Sequence, residues 1–431
     1  MLVYRHYTGR NKIRRWGKRG TALPAVLIVI VLISLLGSAL LSLVLLERRS
    51  GSNAQKICQA GYLAEAGLNL ALAHLRQEPG WQQGIGVTSL PGIEGKIEEV
   101  SVSSRVMSYR LRSTATVGGI SQTLVLELAR PFSSYALACA GSLTLQDTLS
   151  VEGDIFSLGS VRLPDGAAAN VIAGGDLTNM GIVGGSVICG GYLFNSGMIR
   201  GDATVGCSSD RYGRDPNHYG KINGQLNKGL LVPLPDWPAD LVEPYQQAAW
   251  LAPGEYTLAE IQAIVNGLPG EVKTLYCGGD LAIMPVTATL PEGEGLPEEQ
   301  NYYRTRAIIA AAGDIYLAQD MRAESTADAW AFIAGQDLIL AGGVTVDAVL
   351  ACAGYFYKQG EMSTINGALL AGSIELITAD SDSNTSMSGK GRGWIKGRLS
   401  ISFNPAIVEA LTSWLPTSTW QVLAWQQASL Y

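Results

Sequence analysis

The chain has 431 residues, of which only 16% are charged and 51 are glycine, and its net charge is −6. That length can bury a sizeable core and suggests several domains, while the Gly-rich, charge-poor balance disfavours an all-helical protein and favours strands and turns. Seven basic residues (Arg5, Arg10, Lys12, Arg14, Arg15, Lys18 and Arg19) crowd into residues 1–20 without an acidic one, and the other 24 basic residues face 37 acidic ones. The basic block is a topology signal. No later stretch forms the basic stripe that nucleic-acid binding needs.

Residues 21–46 contain no charge and are mostly Leu, Val, Ile and Ala. At ~1.5 Å per residue such a helix reaches roughly 39 Å, more than the ~30 Å hydrocarbon core of a bilayer. A helix is expected because a single segment in lipid must satisfy its own backbone. The basic block before it stays cytoplasmic and places the rest outside. Pro24 falls in the first turn, where a missing N–H costs little. A cleaved secretory signal is the competing reading, but its apolar run is shorter and ends at a small-x-small site; this run ends at Glu47-Arg48-Arg49.

After a polar joint, Ala60, Leu63, Ala64, Gly67, Leu68, Ala71, Leu72 and Leu75 follow the i, i+3, i+4 pattern of an amphipathic helix. Glu78-Pro79-Gly80 ends it. Residues 21–77 are therefore expected to form one rod, half membrane anchor and half spine.

Two motifs carry a family resemblance. Lys18-Arg19-Gly20 directly before Thr21 resembles the processing site of type IV prepilins. Tyr62-Leu63-Ala64-Glu65-Ala66-Gly67 resembles the YLAEAG signature of PilX-type N-terminal regions. The resemblance covers residues 14–77. It implies a prepilin peptidase as a partner, a cut between Gly20 and Thr21, and packing of the remaining helix against other pilin-like subunits. Thr21 stands where the family usually has Phe, and Ala25 where major pilins carry Glu, which by resemblance points to a minor pilin or pseudopilin. In that setting Glu65 is a helix-surface or inter-subunit contact.

Residues 96–102, 105–117 and 120–129 read as strands, with Gly118-Gly119 as a hairpin turn. Beyond Pro131 an apolar–small–Gly unit recurs. Its last four glycines, Gly313, Gly335, Gly354 and Gly372, lie 22, 19 and 18 residues apart. Strand repeats of about twenty residues indicate a solenoid, and a right-handed parallel β-helix is the natural form. Aligning the copies on Gly gives one interior column: Cys139, Ala173, Cys189, Cys277, Ala311, Ile333, Cys352 and Leu370. The copy at Gly335 places Asp337 where the others have an apolar residue and recovers at Leu338, which suggests a one-residue bulge. Four of the six cysteines fall in the column and none forms a C-x-x-C pair, so buried thiols acting as small hydrophobes are expected.

The expected class is thus mainly β: a leader (1–20), a transmembrane and spine helix (21–77), a small strand region (78–131), and a β-helix in two parts (132–207 and 274–376). An inserted loop and helical segment (208–273) separates those parts, and a C-terminal loop and cap (377–431) closes the open end. The cap's Phe403-Asn404-Pro405 and Trp420–Trp425 stretch also resembles the C-termini of β-helical PilX-type proteins.

Chemistry is sparse. Asp154, Asp176, Asp202, Asp280 and Asp314 adjoin glycines and read as turn residues. The histidines, His6, His74 and His218, are scattered. Asp380-x-Asp382-x-Asn384 begins like a calcium loop, but Thr385 and Gly391 occupy the places where Gly and Glu are needed. The expectation is a non-catalytic, single-pass surface protein with no metal or cofactor. The alternative is a membrane-tethered β-helical adhesin or polysaccharide-active protein that enters no fibre.

Overall fold

The structure, a computed structural model, describes residues 22–78, 81–145, 149–167, 169–208, 220–230, 233–285, 301–374, 398–411, 414–415 and 421–428. The protein is mainly β, with one long N-terminal helix and a large stack of parallel strands.

Helix α1 runs unbroken from Ala22 to Gln77, 56 residues, or ~84 Å at ~1.5 Å per residue. Its first half is long and apolar enough to cross a membrane, with a mean hydropathy of 2.9. Its second half lies on an antiparallel sheet of β1 (Lys96–Ser104), β2 (Ser108–Val117), β3 (Ile120–Ala129) and the strand Val422–Ala428, which pairs with β3. Gly118 and Gly119 make the tight β2–β3 hairpin with φ of 53° and 81°, the left-handed pair that a two-residue type I′ turn requires.

Ala60, Leu63, Ala64, Leu68, Ala71 and Leu75 are buried against Ile97, Val100, Leu111, Ala115 and Leu126 of the sheet. Gly67 sits at the closest approach. A Cβ there would lie 2.4 Å from Ser113 Oγ and 3.1 Å from Val100 Cγ2.

The solenoid departs from the expected order. One parallel ladder runs Ala249–Leu251, Val272–Cys277, Arg306–Ala311, Ala329–Ala334, Ala348–Lys358, Ser363–Ser373, then Leu137–Cys139, Ile155–Ser157, Val171–Ala173, Val187–Cys189, Ala203–Val205 and Leu226–Lys228. The later half of the sequence therefore stacks ahead of the earlier half. The chain winds from 137 to 228 towards one end, returns along the outside, and winds again from 249 until it meets its own start. Eleven strand spacings span about 53 Å, which residues 229–248 can cover because twenty extended residues reach about 66 Å.

This order corrects two boundaries. Within residues 208–273, Lys221–Ile222 and Leu226–Lys228 are solenoid rungs, and so are Ala249–Leu251 and Gly254–Tyr256; only part of the segment leaves the stack. The end at residues 249–257 is closed by α2 (Leu258–Asn266), started by a Thr257–Glu260 capping box. Its Leu258, Ile261 and Val265 are buried in the interior, each worth about 1.5–3 kcal/mol. The residues expected to cap an end instead fill a seam. Leu399–Phe403 pairs on one side with Ser363–Ser373 and on the other with Leu149–Glu152, and α3 (Pro405–Leu411) lies on the outer face of the central rungs.

Register also corrects the interior column. Cys277, Ala311, Ala334, Cys352, Ala371, Cys139, Ser157, Ala173, Cys189 and Val205 are stacked neighbours. Ile333 and Leu370 lie one residue earlier, in register with Ala351 and Ala138, and face outward into the cluster that includes Ile407, Val408 and Leu411 of α3. No bulge is needed at Gly335, because Leu338 pairs directly with Ile315 and Phe356. Glycine is required where coils touch: a Cβ on Gly190 would come 2.3 Å from Gly174 O, and one on Gly206 2.0 Å from Gly190 O.

All six cysteines are unpaired, with Cys139, Cys189, Cys277 and Cys352 buried, Cys207 partly exposed and Cys58 exposed on α1. Burial pushes the thiols of Cys139 and Cys189 up to about 11 and about 12, and those of Cys277 and Cys352 upward too. Since the thiolate is the reactive form, native maleimide labelling should modify Cys58 first and those four only after denaturation, as read by peptide mass spectrometry. Native labelling at Cys189 would contradict this packing. For the stem, Gly67→Leu should lower stability by about 1–3 kcal/mol through overpacking. Gly61→Ala, where nothing lies within 4 Å, should raise it by up to about 1 kcal/mol through helix propensity. Thermal unfolding of the detergent-solubilised protein reads both.

Candidate assembly surface

The YLAEAG hexamer divides by face. Leu63, Ala64 and Gly67 are buried in the seat on the sheet, whereas Tyr62 is 73% exposed and Glu65 is exposed; Ala66 lies at the border. Helical geometry dictates the split, since positions three and four apart share a side. Cys58, Tyr62, Glu65, Asn69, Ala73 and Arg76 are all exposed and follow one another at i, i+4, i+7, i+11, i+15 and i+18, so they form one ridge opposite the sheet. Glu65 makes no ion pair among the described residues. The sequence motif pointed to Tyr62 and Glu65; Cys58, Asn69 and Arg76 were legible only through the helical period. Below the ridge, the apolar side chains from Val26 to Leu46 are bare, with Leu40 and Leu41 each 62% exposed. Gly20 and Thr21 lie outside the described residues.

The stem is locked to the solenoid by Arg130. Its guanidinium donates to Asp154 Oδ2 at 2.8 Å and to the carbonyls of Val106 and Ser134 at 3.0 and 3.2 Å, and its Cζ lies 5.2 Å from the Tyr135 ring centre. Asp154 also accepts from the backbone N–H and side-chain amide of Asn170 in the next coil. With the two side chains 18% and 16% exposed, this pair is largely withdrawn from water and its geometry is fixed by neutral hydrogen bonds on both partners.

The other Gly-adjacent aspartates serve the coil corners. Asp176 Oδ1 accepts from Tyr192 N at 2.9 Å, Asp202 Oδ1 from Gln225 N at 2.8 Å, and Asp280 Oδ1 from Asp314 N at 2.9 Å. Asp314 and Asp337 continue the row. Partial burial, with Asp337 and Asp280 nearby, holds the Asp314 carboxyl above its usual range. His74 stacks on Trp81 at 4.7 Å, while His6, His218 and Asp380, Asp382 and Asn384 lie outside the described residues. Among the described residues no three His, Cys, Asp or Glu side chains are placed to hold a metal ion. A cleft of about 420 Å³ between the stem sheet and the solenoid has Met107, Ile188 and Leu230 in its lining. At its mouth Glu127 accepts from Ser108 at 3.0 Å and from Arg105 at 3.4 Å.

No family model matches the chain, and no curated protein does so either. Among solved structures, the competence-associated pilin ComZ from Thermus thermophilus is similar at 12% identity and a TM-score of 0.31, over 86% of this chain and 98% of that one.

Proposed function

We propose that the chain is a non-catalytic, pilin-like subunit, a minor pilin or pseudopilin of a type IV pilus or related assembly system, that displays a β-helical ectodomain. The observation that carries the reading is α1: a single 56-residue helix whose apolar first half is bare and whose second half is seated on the sheet with the Tyr62–Glu65 ridge left outward. The leader, the Gly20–Thr21 junction and the YLAEAG hexamer stand in the order such a subunit requires.

In this reading the bilayer holds residues 21–46 until a peptidase removes the basic leader. The helix then exchanges lipid for the helices of other pilin-like subunits. The exchange is feasible because the apolar surface stays covered throughout. Ala25 brings no carboxylate to the fifth mature position, which suits a minor role. The acidic ladders are structural in this reading, and the ectodomain performs no chemistry.

Mass determination of the mature protein should find Thr21 at the N-terminus, and Gly20 substitution should leave the leader attached. An intact leader on the wild-type chain, or a cut after Leu46, sinks the pilin reading in favour of a tethered surface protein. Glu65→Lys and Tyr62→Ala should change stability by no more than about 0.5 kcal/mol, as exposed substitutions do, yet deplete the subunit from sheared fibres. Normal incorporation of both variants would show that the ridge is not the assembly surface.

A further inference from the structure

Serine and aspartate perform the same corner hydrogen bond along the solenoid. In the half from 137 to 228 the ladder mixes the two: Ser142 Oγ accepts from Ser160 N and Ser160 Oγ from Asp176 N, each at 3.1 Å, and Asp176 Oδ1 accepts from Tyr192 N at 2.9 Å. In the half from 249 to 374 the same task falls to Asp280, Asp314 and Asp337. A serine hydroxyl suffices for the ladder, so the fold alone does not demand three carboxylates, and each spends only its Oδ1 on the backbone.

Beside this row lies an aromatic face. Ala282, Tyr316, Ile339 and Tyr357 are stacked neighbours pointing outward. Tyr316 and Tyr357 are two coils apart, about 9.6 Å by strand spacing. The small residues Gly335, Ala353 and Gly354 leave an open trough of about 720 Å³ along the corner, walled by Asp314, Gln336, Asp337, Tyr355 and Tyr357. The Tyr355 and Tyr357 ring centres are 6.2 Å apart at 42°, and the Tyr357 hydroxyl bonds to the Asp337 side chain. No Lys or Arg lines the trough. The adjacent Lys358 is turned inward, its ammonium donating to the carbonyls of Gly360, at 2.9 Å, and Glu361. The corresponding outward positions of the other half are Thr144, Arg162, Thr178 and Phe194, with no tyrosine and with a cation.

We infer that this trough binds a neutral glycan chain of at least two sugar rings. Tyrosine faces offer apolar platforms to the C–H faces of pyranose rings. The Asp314 carboxylate and the Gln336 amide present acceptors and donors for hydroxyls, and charge-assisted bonds of this kind are the stronger ones. The carboxylate row with no facing cation repels uronate and sulfated chains, so selectivity for uncharged sugars follows from charge. The site does not depend on the chain entering a fibre.

The test uses the full chain in a detergent without a sugar headgroup, titrated calorimetrically with β-1,4-linked oligomers of glucose and of N-acetylglucosamine, and with polygalacturonate. At least one neutral series should bind and polygalacturonate should not. Tyr355→Ala and Tyr357→Ala should each weaken binding about tenfold, as expected for loss of one aromatic platform. Tyr192→Ala, in the other half, should leave it unchanged. Tyr355 is the variant to rely on if Tyr357→Ala perturbs folding, because its bond to Asp337 is made by the backbone N–H, which alanine keeps. Failure of every neutral oligomer to bind, equal binding by the Tyr355→Ala protein, or preference for the acidic polymer would each overturn the inference.

Discussion

The ectodomain depends on one junction. Leu369, Leu370 and Ala371 pair in parallel with Leu137, Ala138 and Cys139, joining a stack wound late in the sequence to one wound early. Each half would otherwise present an unpaired strand edge at this point, a row of unmet N–H and C=O groups. With the junction made, the interior becomes one continuous column from Cys277 through Cys139 to Val205. The remaining parts are then placed by it: the 229–248 segment must run the length of the stack, and residues 399–411 must cover the seam.

That arrangement explains why the rungs are apolar on both faces. Ala329–Ala334 is buried at all six positions, which one-sided solenoid walls are not. The inner face meets the stacked coils and the outer face meets Leu241, Val242, Tyr245 and α3. The stem sheet closes over the neighbouring region through Met107 and Phe132, with the Arg130–Asp154 pair at the joint. Strand Val422–Ala428 carries the connection onward by pairing with β3, so the sheet that seats α1 includes residues some three hundred positions downstream.

The legible and illegible parts of the sequence divide along these lines. α1 could be read because a charge-free run and a 3.6-residue period are local signals, and the seat at Gly67 lay within that period. The small-residue column was readable at Cys139, Ala173, Cys189, Cys277, Ala311 and Cys352, where a glycine or alanine follows at a fixed offset. It slipped by one at Ile333 and Leu370 because strands buried on both faces show no alternation to fix which side is inward. The order of the two halves had no local signal at all: a parallel pairing between residues 370 and 138 leaves nothing in either segment that names its partner. The expected end cap failed for the same reason, since an apolar, Trp-containing tail looks alike whether it closes an end or fills a seam.

The junction also sets apart the two halves as surfaces. The half from 137 to 228 lies along the stem sheet, with the Arg105–Glu127 cleft between them, and this takes up the outward face of Val187–Cys189 and Ala203–Val205. The half from 249 to 374 keeps its Tyr316–Tyr357 face and acidic corner open to solvent. Stacking coils in register makes any outward residue recur at the strand spacing, so a few substitutions in one half are enough to build a linear array without disturbing the column inside. A solenoid joined in this way can hold its fold with one half and vary its surface with the other. The corner ladder demonstrates the principle, since serine at Ser142 and Ser160 and aspartate at Asp176, Asp280, Asp314 and Asp337 make the same backbone bond while presenting different chemistry to the outside.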